Sequence, residues 1–220
     1  MSAEQFVEDV LVARLSAREV MVGAGFRFGH ARAGDVELLK MLGRQHGFRA
    51  VEMGALGAGG ERISSSRIRQ LLAGGDFDAA ARLLGRRFSM GGHVVRGKQL
   101  GRKLGYPTAN LRLGKRLSPV QGIFAVRVTG ADPFQAGVAL PAVASLGVRP
   151  TVNGKEPLLE AHLFEFDGDL YGRRIEVEFV EKLRDEEKFA DLDSMVRQIH
   201  HDAAQARRIL GVAMPATTGA

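Results

Sequence analysis

Leu158-Leu159-Glu160-Ala161-His162-Leu163-Phe164-Glu165-Phe166 alternates in character, with Leu159, Ala161 and Leu163 on one face and Glu160, His162, Phe164 and Phe166 on the other. A period of two marks an extended strand. On either side, Ile123 to Val128, Pro141 to Leu146 and Arg174 to Val180 have the same β-branched and aromatic strand composition. Glycine punctuates the gaps at Gly122, Gly130, Gly137, Gly147, Gly154, Gly168 and Gly172. Short strands at this spacing predict a small antiparallel barrel. One last helix follows, with Val196, Ile199, Ala203, Ala206 and Leu210 as its apolar stripe and Asp191 or Asp193 as its cap. The tail 213–220, ending Pro215-Ala-Thr-Thr-Gly-Ala, is expected to be disordered.

Upstream of Phe88 the pattern is different. Phe6, Val7, Val10, Leu11 and Leu15 recur at helical spacing, predicting a helix from Ala3 to Leu15 and then a short strand, Glu19 to Gly23. Asp35 caps a second helix that runs to His46 and stops at Gly47, and Phe48 to Met53 reads as a buried strand. After a glycine-rich loop come helices at Ser64 to Leu72 and Phe77 to Leu84, separated by Gly74-Gly75. This β-α-β-α order is that of a parallel sheet with crossover helices. The predicted class is therefore α+β, with an α/β segment over 1–87, a barrel with its helix over 88–212 and the tail beyond.

The chain has 220 residues, 45% of them hydrophobic, enough to bury a substantial core. No apolar run approaches the ~18 residues of a membrane span, and the start carries Glu4, Glu8 and Asp9 where a secretory signal is basic and then apolar. A cytoplasmic location with no membrane partner is expected. The absence of cysteine excludes disulfides, thiolate zinc sites and cysteine nucleophiles. Any metal is expected to be a hard ion on oxygen ligands.

Charge is uneven. Between His93 and Gln121 lie Arg96, Lys98, Arg102, Lys103, Arg112, Lys115 and Arg116, with no acidic residue, a stretch that attracts polyanions. Only Tyr106 is aromatic there, which disfavours a single-stranded nucleic-acid platform, and no nucleic-acid partner is expected. Within it, Gly97-Lys98-Gln99-Leu100-Gly101-Arg102-Lys103-Leu104-Gly105 spaces three glycines four apart. The backbone is left free to curl, so that amides converge on phosphate oxygens while Lys98, Arg102 and Lys103 add charge. It is not a Walker A loop, and a basic hairpin loop satisfies the same residues. Immediately after it, Tyr106-Pro107-Thr108-Ala109-Asn110 sets a hydroxyl and an amide two residues apart. If extended, Thr108 and Asn110 share a side and offer neutral oxygens to Mg²⁺; a plain turn is the alternative. Glu160, on a face with aromatic bulk, is either a general base against a substrate hydroxyl or a solvated edge carboxylate.

These stretches resemble the riboflavin kinase family. The matching blocks are Gly91-Gly92-His93-Val94-Val95-Arg96-Gly97, Gly101 to Leu111, Gly122-Ile123-Phe124-Ala125-Val126, Leu146 to Thr151, Leu159 to Leu163, Asp169-Leu170-Tyr171-Gly172 and Leu183 to Phe189. The resemblance implies a six-stranded barrel with a C-terminal helix and phosphorylation of the riboflavin 5'-hydroxyl by ATP to give FMN. It further implies that the flap around Gly97, Lys98, Gly101, Arg102, Lys103, Gly105, Tyr106 and Pro107 covers ATP, that Thr108 and Asn110 hold Mg²⁺, and that Glu160 takes the ribityl proton. The segment from Arg184 to Phe189 would close over the flavin ring. A non-catalytic flavin-binding or regulatory module is the competing reading, but it has no need of Thr108, Asn110 and Glu160 together.

The first third resembles the back half of the FMN adenylyltransferase domain that bacteria fuse to riboflavin kinase. Matching residues are Val22-Gly23, Phe26-Arg27-Phe28-Gly29, Gly34-Asp35 with Leu38-Leu39, and Ile63-Ser64-Ser65-Ser66-Arg67-Ile68-Arg69. The serine run offers hydroxyls and helix amides to an anion, or is an ordinary helix cap. The family's opening strand and nucleotide motif are absent: no His-x-Gly-His occurs, and Gly25 stands where the family has Asp. The segment is therefore expected to be an N-terminally truncated domain without adenylylation activity, with the strands at Val20 and Phe48 lacking neighbours.

Overall fold

A computed structural model describes residues 1–54, 57–58, 61–97, 99–114, 118–132, 137–151 and 154–213. They form two compact units, Met1–Ile63 and Ser64–Ala220.

In the first unit, α1 (Ala3–Phe6) opens with a capping box between Ser2 and Gln5 and passes into a π-helix, Val7–Val12. The expected straight α-helix to Leu15 is thus widened: Ala13 and Leu15 donate to carbonyls five residues back, at Glu8 and Val10. Ala3, Val7 and Leu11 still share one buried face, packed with Phe28, Leu39 and Phe48. β1 (Glu19–Gly23) pairs parallel with β2 (Arg49–Met53) in a two-stranded sheet. Between them α2 (Val36–His46) is capped by the Asp35 carboxylate at its start and by left-handed Gly47 at its end, as its sequence predicts. β2 is less buried than expected: Phe48 anchors its start, but Met53 is exposed, as is Met21 on β1. A short antiparallel pair, β3 (Gly57–Ala58) with β4 (Glu61–Arg62), completes the unit.

The second unit begins earlier than the expected boundary near Arg87. α3 (Ser65–Gly74) and α4 (Phe77–Leu84), capped by Ser64 and Asp76, pack with the barrel that follows. Phe77 makes the clearest contact. Phe77, on α4, stacks on Phe179 at 5.8 Å and meets Phe124 edge-on at 5.9 Å, so the helix closes the barrel core.

That barrel is closed, six-stranded and antiparallel throughout, in the order β10-β5-β6-β9-β8-β7. Its strands are β5 (Ser89–Val95), β6 (Ala109–Arg112), β7 (Gly122–Thr129), β8 (Leu140–Thr151), β9 (Gly154–Leu163) and β10 (Arg174–Arg184). A four-residue helix, α5 (Leu100–Lys103), lies between β5 and β6, and α6 (Leu192–Leu210) follows β10. Closure leaves no free edge in this sheet. Alternation fills the interior from Leu111, Phe124, Val126, Leu159, Val177 and Phe179, each no more than 1% exposed. The other face of β7 and β8 is buried too, because Ala203, Ala206 and Leu210 of α6 lie over Ala125 and Val143.

Several strands differ from their sequence limits, three of them by more than a residue at one end. β8 and β10 are longer than expected, and β9 ends at Leu163 rather than Phe166. Phe164 keeps the face of Glu160 and His162 and packs under α6, and Glu165 then takes a left-handed conformation, φ 53, where the strand has ended. α6 starts at the Asp191 cap, one of the two candidates, and ends at left-handed Gly211. The expected disordered tail lies outside the described residues from 214 onward. Among the described residues no helix is long and apolar enough to cross a membrane.

Candidate active site

Three parts of the second unit surround one cavity of about 340 Å³ on the outer wall of the barrel. The glycine-rich segment contributes Gly101, Tyr106 and Thr108, β9 contributes Glu160, and the stretch after β10 contributes Arg184 and Phe189. α6 closes the side with Met195, Ile199 and Asp202.

Glu160 reaches the cavity because β9 is a barrel strand. Leu159 and Ala161 are fully buried inside, so the residue between them must face out. β9 has partners on both sides: Asn110 of β6 and Ser145 of β8 are both directly opposite Glu160. Glu160 is thus on a central strand and half-buried, not on an edge.

Thr108 and Asn110 flank the first residue of β6, Ala109. Asn110 is only 5% exposed. Its Nδ2 donates to the Thr108 carbonyl at 3.2 Å and to the Thr108 hydroxyl at 3.4 Å. Its Oδ1 is buried with no hydrogen-bond partner among the described residues. An unpaired buried acceptor costs about 1–3 kcal/mol, and a hard cation is one group that satisfies it. The backbone of Gly97 lies directly against this amide, and a Cβ there would overlap the Asn110 side chain. Thr108 lines the cavity and Asn110 does not, but both carry a neutral oxygen, Oγ1 and Oδ1, of the kind that fits Mg²⁺.

The flap is more ordered than a freely curling loop. α5 makes one helical turn, and the amides of Leu104 and Tyr106 donate to the Gly101 carbonyl, that of Gly105 to the Arg102 carbonyl. Those three amides are already engaged and cannot cradle phosphate, which narrows the expected cradle to the residues before Leu104. Gly101 is required by a close approach, since a Cβ would overlap the Tyr106 carbonyl oxygen. Arg102 and Lys103 are exposed and do not line the cavity. Lys98, Lys115 and Arg116 lie outside the described residues. The flap is tied to the turn before β10: Gln99 Nε2 donates to the Tyr171 hydroxyl at 3.1 Å, and the Arg96 guanidinium lies 5.2 Å from the Tyr171 ring centre.

Arg184 is committed elsewhere. Irregular pairing near the end of β10 redirects it to α6, where it grips the Asp202 carboxylate through Nε and Nη2. Burial works against its charge, but the hydrogen bond and charge of Asp202, helped by Glu187 and Glu186, more than restore it, so the guanidinium sits above its ordinary pKa. Its guanidinium also lies 5.7 Å from the centre of the Phe189 ring.

Below the flap, His162 Nδ1 is 2.9 Å from the Pro107 carbonyl, and the Tyr106 hydroxyl is 2.5 Å from His200 Nδ1. Burial, reinforced by the positive charge of Arg207 and opposed by the Pro107 bond, lowers the His162 pKa. Burial raises that of Tyr106, with Arg207 pulling the other way. Two of these partners had a signal in sequence. Asp202 is three residues from Ile199 on the α6 stripe, where a buried carboxylate requires a cation; His162 shares the Glu160 face. Gln99 and Tyr171 are paired across 72 residues, and nothing local in the sequence marks them.

Comparison with known proteins identifies the family. The riboflavin kinase family profile matches residues 84–210, and the FAD synthetase profile matches residues 1–67. A bifunctional riboflavin kinase/FMN adenylyltransferase of Escherichia coli is 43% identical over 216 residues, covering 98% of this chain and 68% of that protein. The Pseudomonas fluorescens protein of the same name is 43% identical over 95% of this chain and 66% of its own length. A Streptococcus pneumoniae crystal structure, described as a macrolide-efflux protein, superposes with a TM-score of 0.66 at 30% identity, over 94% of this chain and 65% of that one. The extent of the profile match and the length over which the Escherichia coli protein aligns together establish that this chain belongs to the riboflavin kinase family, as an ATP:riboflavin phosphotransferase.

Proposed function

We propose that this chain transfers the γ-phosphoryl group of ATP to the 5'-hydroxyl of riboflavin, with Glu160 as general base and Thr108 and Asn110 as ligands of Mg²⁺. One observation carries this reading. The buried Oδ1 of Asn110, unpartnered among the described residues, belongs to the residue directly opposite Glu160, and Thr108 and Glu160 line the same cavity.

In phosphoryl transfer the protein mainly positions groups and neutralises charge. Mg²⁺, when bound, neutralises phosphate charge beside the two oxygens. Gly97 and Gly101 let the flap backbone approach closely enough to exclude water from the phosphates. Glu160 accepts the hydroxyl proton as the new P–O bond forms and the bond from the γ-phosphorus to the β–γ bridging oxygen breaks, releasing ADP; a general base typically contributes ~10² to 10⁴ in rate. Arg184, held by Asp202, and Phe189 form the wall against which a flavin ring can stack. The 88–212 segment is the kinase domain in this reading, and 1–87 is related to FAD synthetase.

We also propose that FMN is the end product of this polypeptide. No His-x-Gly-His occurs in its sequence, and Gly25 stands where the adenylyltransferase family has Asp. Incubating the purified chain with riboflavin, ATP and Mg²⁺ and separating the flavins tests both statements. FMN alone is expected. No FMN would refute the kinase reading, and FAD would refute the second statement only.

A further inference from the structure

We propose that His162 is a positioning residue for the metal site: by holding the Pro107 carbonyl it sets the direction in which Thr108 and Asn110 leave the flap. This rests on the reading of Thr108 and Asn110 as Mg²⁺ ligands.

The argument begins with what a proline cannot do. Pro107 has no N–H, so it cannot donate to a ladder with β9, and its φ is fixed by its ring. The last pair of the β6–β9 ladder is Ala109 with Ala161. Immediately beyond it the backbone of β6 has no partner strand to orient it, yet this is where Thr108 must be aimed. The His162 side chain takes over: its Nδ1 lies 2.9 Å from the Pro107 carbonyl oxygen. A carbonyl only accepts, so Nδ1 carries the proton and donates.

With φ of Pro107 fixed, the remaining freedom of that residue is ψ, the rotation that turns its carbonyl. The Pro107 carbonyl and the Thr108 amide belong to one rigid peptide plane. Holding the oxygen therefore sets the plane from which Thr108 departs. From Thr108 the geometry continues, because Asn110 Nδ2 donates to both the carbonyl and the hydroxyl of Thr108, which leaves Oδ1 as the unpaired oxygen. Asn110 then stands opposite Glu160, two residues before His162 on the same face of β9. One strand thus carries both the base and the group that orients the metal ligands. Tyr106 packs edge-on against His162, with ring centres 5.0 Å apart, and limits the rotation of the imidazole.

The donor position makes a sharp test. Asn at 162 can place an amide N–H near Nδ1, whereas Gln places its amide near Nε2, and Leu places no donor at all. In the full chain, His162→Leu and His162→Gln should raise the Mg²⁺ concentration for half-maximal FMN formation about tenfold and, in the same proportion, the Mg²⁺ concentration that gives half of the rise in unfolding temperature produced by Mg²⁺ with ADP, the usual size of an outer-shell effect on metal affinity. His162→Asn should stay within about threefold of the parent, and all three should keep most of kcat at saturating Mg²⁺. Should His162→Leu fail to fold, the contrast between the two amides still decides the matter. An unshifted Mg²⁺ titration in His162→Gln, or a His162→Asn variant as impaired as His162→Gln, overturns the inference. Thr108→Ala separates the two levels. If it shifts the titration while the His162 series does not, only the positioning role falls. If Thr108→Ala leaves the titration unchanged, the metal reading and this inference fall together.

Discussion

Arg184 and Asp202 join the last barrel strand to the C-terminal helix through a forked ion pair, with Nε 3.0 Å from Oδ1 and Nη2 2.8 Å from Oδ2. The pair is asymmetric: the Asp202 side chain is 5% exposed and that of Arg184 21%. Gln198 Nε2 adds a third donor to the carboxylate at 2.9 Å. This strut forms one side of the cavity and tethers the segment that carries Phe189.

Removing the cation should therefore cost more than removing the anion. Arg184→Met leaves a buried carboxylate without its charge partner and is expected to lose about 3–5 kcal/mol of stability. Asp202→Asn keeps a hydrogen-bond acceptor for Arg184, which is closer to water, and should lose clearly less. Urea unfolding of the two variants checks the order; equal losses would argue against the asymmetry.

Glu160→Gln keeps size and shape and removes the base. Turnover of riboflavin to FMN is expected to fall by ~10² to 10⁴ with the unfolding midpoint little changed. Near-parent turnover would take Glu160 out of this role.

Asn110→Ala removes the unpaired oxygen and the donor that holds Thr108. A raised Mg²⁺ requirement is expected, together with unchanged or improved stability, since an unsatisfied buried acceptor disappears. A loss of stability with an unaltered Mg²⁺ titration would show that the amide serves the fold instead.

His162 links stability to pH. Its folded pKa is lowered from the ordinary 6.5, first by burial and then by Arg207, so the folded state resists protonation. Below about pH 6.5 the unfolded chain takes up a proton that the folded chain does not, and stability falls with falling pH until the folded pKa is reached. Above that window the contribution is complete. The parent should thus lose stability faster between pH 6.5 and 5 than His162→Asn; parallel pH profiles would contradict this.

Phe77 tests where the second unit begins. Phe77→Ala is expected to cost about 3–5 kcal/mol, as for a phenylalanine packed in a core. A polypeptide starting at Ser64 should unfold as one cooperative unit, while one starting at Phe88 should be markedly weaker. Equal stability of the two would place the boundary back at Arg87.

Much of this protein was legible in its residues. Strand alternation around Glu160, the caps at Asp35, Ser64 and Asp191 and the stops at Gly47 and Gly75 depend on neighbours within a few positions, and the structure has the helices and strands there. The side of β9 that carries Glu160 followed from a period of two, which a strand cannot evade without a bulge. Barrel closure, the pairing of Asn110 with Glu160, the Gln99–Tyr171 tie and the grip of Arg184 on Asp202 join residues far apart in the chain. No local pattern specifies such partners, because each contact depends on how several elements pack at once. For the same reason Phe77 looked like part of a helix belonging to the first segment until packing put its ring against Phe124 and Phe179. Local backbone chemistry determined the elements and the faces they present; only the closed barrel decided which of those faces meet around a cavity.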